Sequence, residues 1–372
     1  MIARRVAFLF LGETLLIPHL FPIVESLARI DPQLPIDLWV STSMHEALLD
    51  GWLRALNGRN VRIRRAPGFR RVESGAKGHN PKLPAKMPML LRLVPYLAGV
   101  PVVVCAERTS LWLPTLFPLR ARFIQTKHGV GSMSVRGDRR RKSAWRTLVP
   151  SQREYETYVK HGIDPDRVGV TGYVKASFHQ RTHTVPPFKE RRPIVLYTPH
   201  WQRRRSSWWD WGPEVVRRVI AEGRYNLIFA PHQRLVEGTP ELRTFCADLR
   251  NRTDVHCDLD SFAMVDGSYT AAADIYLGDT SSQVLEFMMR PRPCVFLNSW
   301  QAAWENDPSY AMWVCGDVVS KIDDVLPAIA NIHSKQAHYA PIQAAYTADW
   351  LGDTSGAAPA HAAAEILNAL RR

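Results

Sequence analysis

Apolar residues fall in short runs separated by longer mixed segments that end in glycine, proline or small polar residues. Val6 to Leu11, Ile36 to Val40, Val61 to Arg64, Val102 to Cys105 and Arg122 to Thr126 read as strands with helix-length spacers, the rhythm of a parallel α/β sheet. Thr147 to Val149 and Arg167 to Thr171 continue it. Between those two, Ser151 and Glu154 precede a helix over Tyr155 to His161 in the pattern of a capping serine and a glutamate that bonds back. A polar, proline-bearing joint runs from Gln180 to Pro193. A second series then begins, with strands over Ile194 to Thr198, Tyr225 to Ala230, Asp254 to Cys257, Ile275 to Leu277 and Cys294 to Leu297. Helices are expected over Pro213 to Glu222, Pro240 to Asn251, Phe262 to Ala272 and Ser282 to Met289, and Ala357 to Arg372 reads as a closing helix. The expected organisation is an N-terminal Rossmann-like domain over 1–180, a linker over 181–193, a second Rossmann-like domain over 194–350 and a closing segment over 351–372. Ligands then belong in the cleft at the carboxyl ends of the strands.

Length agrees with this, because 372 residues exceed the size at which one hydrophobic core keeps growing. The opening MIARRVAFLFLGET has a basic pair and an apolar run without a small-residue cleavage site, and reads as a first buried strand. Leu83 to Val104 is the most apolar longer stretch, but Lys86, Arg92 and several prolines interrupt it, so no spanning helix is expected. Cys105, Cys246, Cys257, Cys294 and Cys315 are odd in number and lack a finger-type spacing, which points to reduced core thiols in a cytoplasmic protein.

Charge widens the choice of partners. Lysine and arginine number 48 against 35 acidic residues, giving +13 and a pI near 9.7, a balance that favours nucleic acid, phosphorylated substrates or an anionic membrane face. Two basic clusters, Arg136 to Lys142 and Arg203 to Trp211, are either solvated loops or a peripheral contact on the cytoplasmic face of a membrane, where tryptophan beside arginine suits a headgroup layer. Leu83 to Ala98 is either a helix that docks on a membrane or lipid-linked acceptor, or a core helix. No recognisable nucleic-acid motif accompanies the charge, so nucleic acid is the least favoured partner.

Residues 272–298 carry the most chemistry: a strand ending at Leu277, a small Gly278-Asp279-Thr280-Ser281-Ser282 turn, then a helix with Glu286 one turn inside. Unpaired N–H groups and the positive end of the dipole make such a helix start suit phosphate, although on this segment alone a capping role for Ser281 or Ser282 is the simpler reading. Asp279 is expected to fix the turn by bonding its own backbone. Asp258-Leu259-Asp260 looks like a metal-binding Asp-x-Asp, but it directly precedes a helix start and is read as a cap, so no protein-bound metal is expected.

The 272–298 segment resembles the ADxxITDYSSxxFD pattern of the CDP-glycerol glycerophosphotransferase family, with Thr280 for its tyrosine and Glu286 for its aspartate. Thr126 to Val130 resembles the family's WHGT element, Val170 to Lys175 its TGYPR, Tyr197-Thr198-Pro199 its YAPT, and Pro231-His232 stands at its histidine-proline site. These elements occur in the family's order over roughly 120–300. The threonine after His128-Gly129, the Pro-Arg after Tyr173 and the proline after His232 are missing, which leaves the nucleotide and the transferred group open.

The resemblance implies a GT-B fold, two Rossmann-like domains facing a cleft, and transfer of glycerol phosphate from CDP-glycerol to a polymer or lipid-linked acceptor. It implies that His128 accepts the acceptor's proton and that His232, as imidazolium or N–H donor, stabilises charge on the leaving diphosphate. Gly129, Thr280, Ser281 and Ser282 then hold the donor and Glu286 receives ribose hydroxyls. A structural role for either histidine, or a solvated helix glutamate at position 286, remains the alternative. His200 is read as loop packing. No cofactor is implied beyond the donor itself, CDP-glycerol or a nucleotide sugar. A nucleotide-sugar glycosyltransferase, a UDP-sugar 2-epimerase of the same architecture and a basic nucleic-acid-binding protein are the rival functions.

Overall fold

The computed structural model describes residues 4–56, 59–72, 83–127, 129–130, 139–178 and 188–371. Among them, β1 (Val6–Phe10), β2 (Ile36–Thr42), β3 (Val61–Arg70), β4 (Val102–Cys105), β5 (Arg122–Thr126), β6 (Arg146–Val149) and β7 (Val168–Val170) form a seven-stranded sheet in the order β3-β2-β1-β4-β5-β6-β7. β8 (Ile194–Thr198), β9 (Asn226–Phe229), β10 (Val255–Cys257), β11 (Ile275–Gly278), β12 (Cys294–Leu297) and β13 (Asp317–Val319) form a six-stranded sheet in the order β10-β9-β8-β11-β12-β13. The strands within each sheet are parallel, so helices cover both faces, and the central strands β1 and β4 are apolar throughout. In β1, Val6, Phe8 and Phe10 enter one core while Ala7 and Leu9 enter the other.

The strand order reverses direction between β1 and β4 in the first sheet and between β8 and β11 in the second. Such reversals splay the connecting loops apart and leave a crevice beyond the strand ends, where ligands bind in open α/β sheets.

Two chain segments cross between the domains, and their backbones touch. Gly172 has φ +91°, and a Cβ there would lie 2.8 Å from the carbonyl oxygen of Asp353, which accepts the Tyr173 N–H at 2.8 Å. Gly352 has φ +62°, and its Cβ would sit 2.2 Å from the Pro150 oxygen. Beyond this crossing, the helix Ala358–Arg371 packs on the helix Ile17–Ile30, with Ala358, Ala362, Ala363, Ile366 and Ala369 fully buried in the core that holds Phe8 and Phe10.

Several expectations change in detail. The helix foreseen over Phe262 to Ala272 is two pieces, a turn Phe262–Met264 and a helix Ser268–Ala272, broken at Gly267 with φ +85°. Strand β13 and the 27-residue helix Val325–Leu351 were not foreseen. Ser151 caps the helix Gln152–Lys160 by accepting the Glu154 N–H at 3.4 Å, but the Glu154 carboxylate pairs with Lys127 instead of bonding back. Within Leu83 to Ala98, the helix Lys86–Leu97 buries Met89, Leu90, Leu93 and Leu97 and exposes Leu91 and Tyr96. Part of the Gln180 to Pro193 joint and of the Arg136 to Lys142 cluster lies outside the described residues. No helix among those described is long and apolar enough to cross a membrane.

Candidate active site

Three loops meet at the carboxyl edge of the second sheet: Pro199–Ser207 after β8, Pro231-His232 after β9 and Asp279–Ser282 after β11. Asp279 ties the first to the third. It is fully buried and accepts the N–H groups of His200 at 2.7 Å and Ser207 at 3.0 and 3.1 Å. Burial pushes its carboxyl up to about 7, and the backbone donors pull the other way. The structural role expected of Asp279 therefore falls between two loops and not on its own backbone.

Ser281 caps the helix Ser282–Met288 by accepting the Gln283 N–H at 3.2 Å, and Ser282 stands half-buried at its first position. Thr280 is buried, with its hydroxyl donating to the Ser309 carbonyl at 3.1 Å. What Thr280 offers a ligand is thus its backbone.

Glu286 is buried one turn into this helix and is held from the other side of the domain crossing. Lys175 Nζ lies 2.7 Å from both carboxylate oxygens, and the Tyr173 hydroxyl donates to Oε1 at 2.7 Å. Burial, reinforced by the Glu286 charge, holds the Tyr173 phenol well above its ordinary range. A cavity of about 440 Å³ opens beside this group, between Lys175, Phe178, Thr270 and Arg290.

His232 Nδ1 accepts the Arg234 N–H at 3.1 Å, and His200 Nδ1 accepts the Gln202 N–H at 3.1 Å. A backbone N–H can only donate, so each neutral ring carries its proton on Nε2. Burial first, then neighbouring cations, lower His232 to about 4 and His200 to about 3. Both are neutral near pH 7, and of the two forms expected of His232 this favours the N–H donor. The rings meet edge to face at 5.9 Å, so His200, expected to be loop packing, sits beside His232.

From the first sheet, Glu13 after β1 reaches Arg234, 2.8 Å from its Nη2. His128 lies outside the described residues. Its neighbour Lys127 is buried in an ion pair with Glu154, Gly129 has φ +68° in open space, and Val130 is buried among second-domain residues including Ala230, Ala263 and Val284. Ser261, not either aspartate, caps the turn Phe262–Met264 by accepting the Ala263 N–H at 3.2 Å; Asp258 Oδ1 accepts the Asp260 and Ser261 N–H groups at 3.1 and 2.9 Å, and Asp260 pairs with Arg243. Among the described residues no group of three or more His, Cys, Asp or Glu is arranged to hold a metal ion.

No family model matches the chain, and no curated protein matches it in sequence. Solved structures do. The wall teichoic acid polymerase TagF superposes with a TM-score of 0.66 at 14% identity, covering 99% of this chain and 89% of that one. A Listeria monocytogenes protein assigned as a UDP-N-acetylglucosamine 2-epimerase gives 0.65 at 15% identity, covering 99% and 96%. The fold is GT-B. Anabaena Alr3699/HepE, solved with UDP and glucose, gives 0.54 at 13% identity, covering 98% and 99%. At these identities the likeness concerns the GT-B fold alone.

The residues that sequence reasoning underweighted are Tyr173, Lys175, His200, Arg234 and Glu13. Tyr173 and Lys175 stood inside a quoted motif without a role, and Arg234 was one more cation in a basic chain.

Proposed function

We propose that this chain moves glycerol phosphate, or a related group, from a CDP-activated donor to a hydroxyl of a cell-surface polymer or lipid-linked acceptor. The observation that carries this reading is the convergence of three separate sequence elements: Val170 to Lys175 meets the 278–286 turn and helix at Glu286, and Pro231-His232 meets it through His200, whose ring touches His232 and whose N–H donates to Asp279. In this reading Ser281, Ser282 and the backbone at Thr280 hold the diphosphate, with Gly129 facing them from the first domain. The His232 Nε2–H points charge stabilisation at the leaving phosphate. Glu286 keeps a lone pair on Oε2 for a ribose hydroxyl while Lys175 and Tyr173 hold it in place.

The acceptor oxygen attacks the β-phosphorus, the bridging P–O bond breaks, and CMP leaves with its electron pair. His128 takes the acceptor's proton. The likeness to a protein solved with UDP and glucose, together with Thr280 and Glu286 at motif positions, supports a second reading. There a nucleotide sugar is the donor, attack falls on the anomeric carbon and the nucleoside diphosphate leaves.

A thermal-shift panel of CDP, UDP, GDP and ADP with their glycerol and sugar conjugates tests both, because a ligand that binds the native state raises the melting temperature. CDP and CDP-glycerol are expected to give the largest shifts. A larger shift from UDP and a UDP-sugar transfers the assignment to the second reading, and turnover of UDP-N-acetylglucosamine alone transfers it to an epimerase.

A further inference from the structure

Arg234 at the cleft edge takes its partner from the loop after β1 of the opposite sheet. Its Nε and Nη2 face Glu13 Oε1 at 3.3 and 2.8 Å, and its guanidinium lies 5.1 Å over the Trp201 ring. The same residue's N–H fixes the His232 tautomer, and Trp201 stacks on His200 at 5.8 Å. Arg234, His200 and His232 therefore form one donor-rich corner beyond β8 and β9. The nearby carboxylate of Asp279 is consumed by backbone N–H groups, so it does not neutralise that corner. Glu13 is the counter-charge bonded to Arg234, with Glu237 near both.

The Glu13–Arg234 pair is built differently from Lys175–Glu286. Its side chains are 20% and 46% exposed against 8% and 10%, so it lies in water-screened surroundings where an ion pair is worth little. A pair of that kind exchanges partners readily. The planar guanidinium presents parallel N–H donors that match a phosphate better than one carboxylate oxygen does. Stacking on Trp201 holds that plane in the corner when Glu13 lets go.

We propose that Arg234 is a ligand of the donor diphosphate, and that Glu13 occupies it only until the donor arrives. The inference rests on the nucleotide-diphosphate reading of the cleft and adds a residue and an exchange to it. Because Glu13 follows β1, donor entry also cuts one of the ties between the two domains.

Opposite effects from the two ends of one ion pair test this. Wild-type protein, Glu13→Gln, Arg234→Ala and Arg234→Lys are titrated calorimetrically with pyrophosphate, CDP and UDP, with melting curves to check folding. Glu13→Gln is expected to tighten binding by about two- to fivefold, the scale of an exposed pair. Arg234→Ala is expected to weaken it by about tenfold or more, the scale of a hydrogen bond to a charged group, and Arg234→Lys to fall between. If both ends weaken binding alike, or if Arg234→Ala binds as wild type does, Arg234 is a strut and the inference fails while the nucleotide reading stands. If wild-type protein binds none of the three probes, both fall.

Discussion

Lys175 grips both carboxylate oxygens of Glu286 at 2.7 Å, joining the segment that leaves the first domain to the helix that carries the candidate donor site. The two residues are 111 positions apart, and the pair is buried. Breaking a buried pair strands a charge, at a cost of about 3–5 kcal/mol, whereas replacing both partners by apolar residues is often neutral. Glu286→Ala is therefore expected to lower unfolding stability by that amount in urea titrations. The double variant Lys175→Met, Glu286→Leu should recover most of it.

Ser281→Ala removes the cap seen on Gln283 and should cost roughly 1 kcal/mol of stability. Adding Ser282→Ala should weaken nucleotide-diphosphate binding while the protein stays folded. Unchanged affinity by calorimetry in the folded double variant would remove this turn from the donor site.

His128→Gln is expected to keep donor binding and lower turnover by about 10²–10⁴-fold, the usual contribution of positioned proton transfer. His232→Gln should weaken donor affinity and turnover together, because its Nε2–H is assigned to the diphosphate. A paired measurement of affinity and transfer rate separates the two; near-normal transfer by His128→Gln rules it out as the base.

Acid should act through the buried histidines. His45, His200 and His232 have values of about 4, 3 and 4 when folded, against 6.5 when unfolded, so the unfolded chain binds their protons first. Their contribution is present above pH 6.5 and is lost as pH falls toward 4. Asp279, raised from 3.8 to about 7, acts oppositely: its contribution is present below 3.8 and lost as pH rises through 7. Replacing His200 by Gln should flatten the fall in melting temperature between pH 6.5 and 4, and an unaltered slope would show that its proton is not part of that difference.

The Arg203 to Trp211 segment places Arg203 5.4 Å over the exposed Trp209 ring, with Arg204 exposed beside it. Peripheral binding to anionic membranes is expected, with release at high salt as the charges are screened. Flotation with anionic liposomes at low salt should carry the protein upward; protein left at the bottom of the gradient would retire the idea.

The strands were legible because parallel strands buried on both faces are largely apolar runs, and β4, β8 and β12 lie where those runs were read. Strand β13 escaped because its three residues lie at an edge with only Val319 buried. The helix Val325–Leu351 escaped because its buried residues are few for its length and Pro341 interrupts it. At the site, motif order brought Tyr173, His232 and Ser281 to attention. The long-range pairs around them could not be read there, since Glu286 meets Lys175, Asp279 meets Ser207 and Arg234 meets Glu13 across 111, 72 and 221 positions.

The helix Ala358–Arg371 has a consequence for how the protein is made. It supplies five fully buried residues to the core built on Val6, Phe8 and Phe10. A ribosome delivers β1 long before this helix, so the domain built on β1 waits for the whole second sheet before its apolar surface is covered. Until then a chaperone, or a second nascent chain, meets an open groove shaped for alanines.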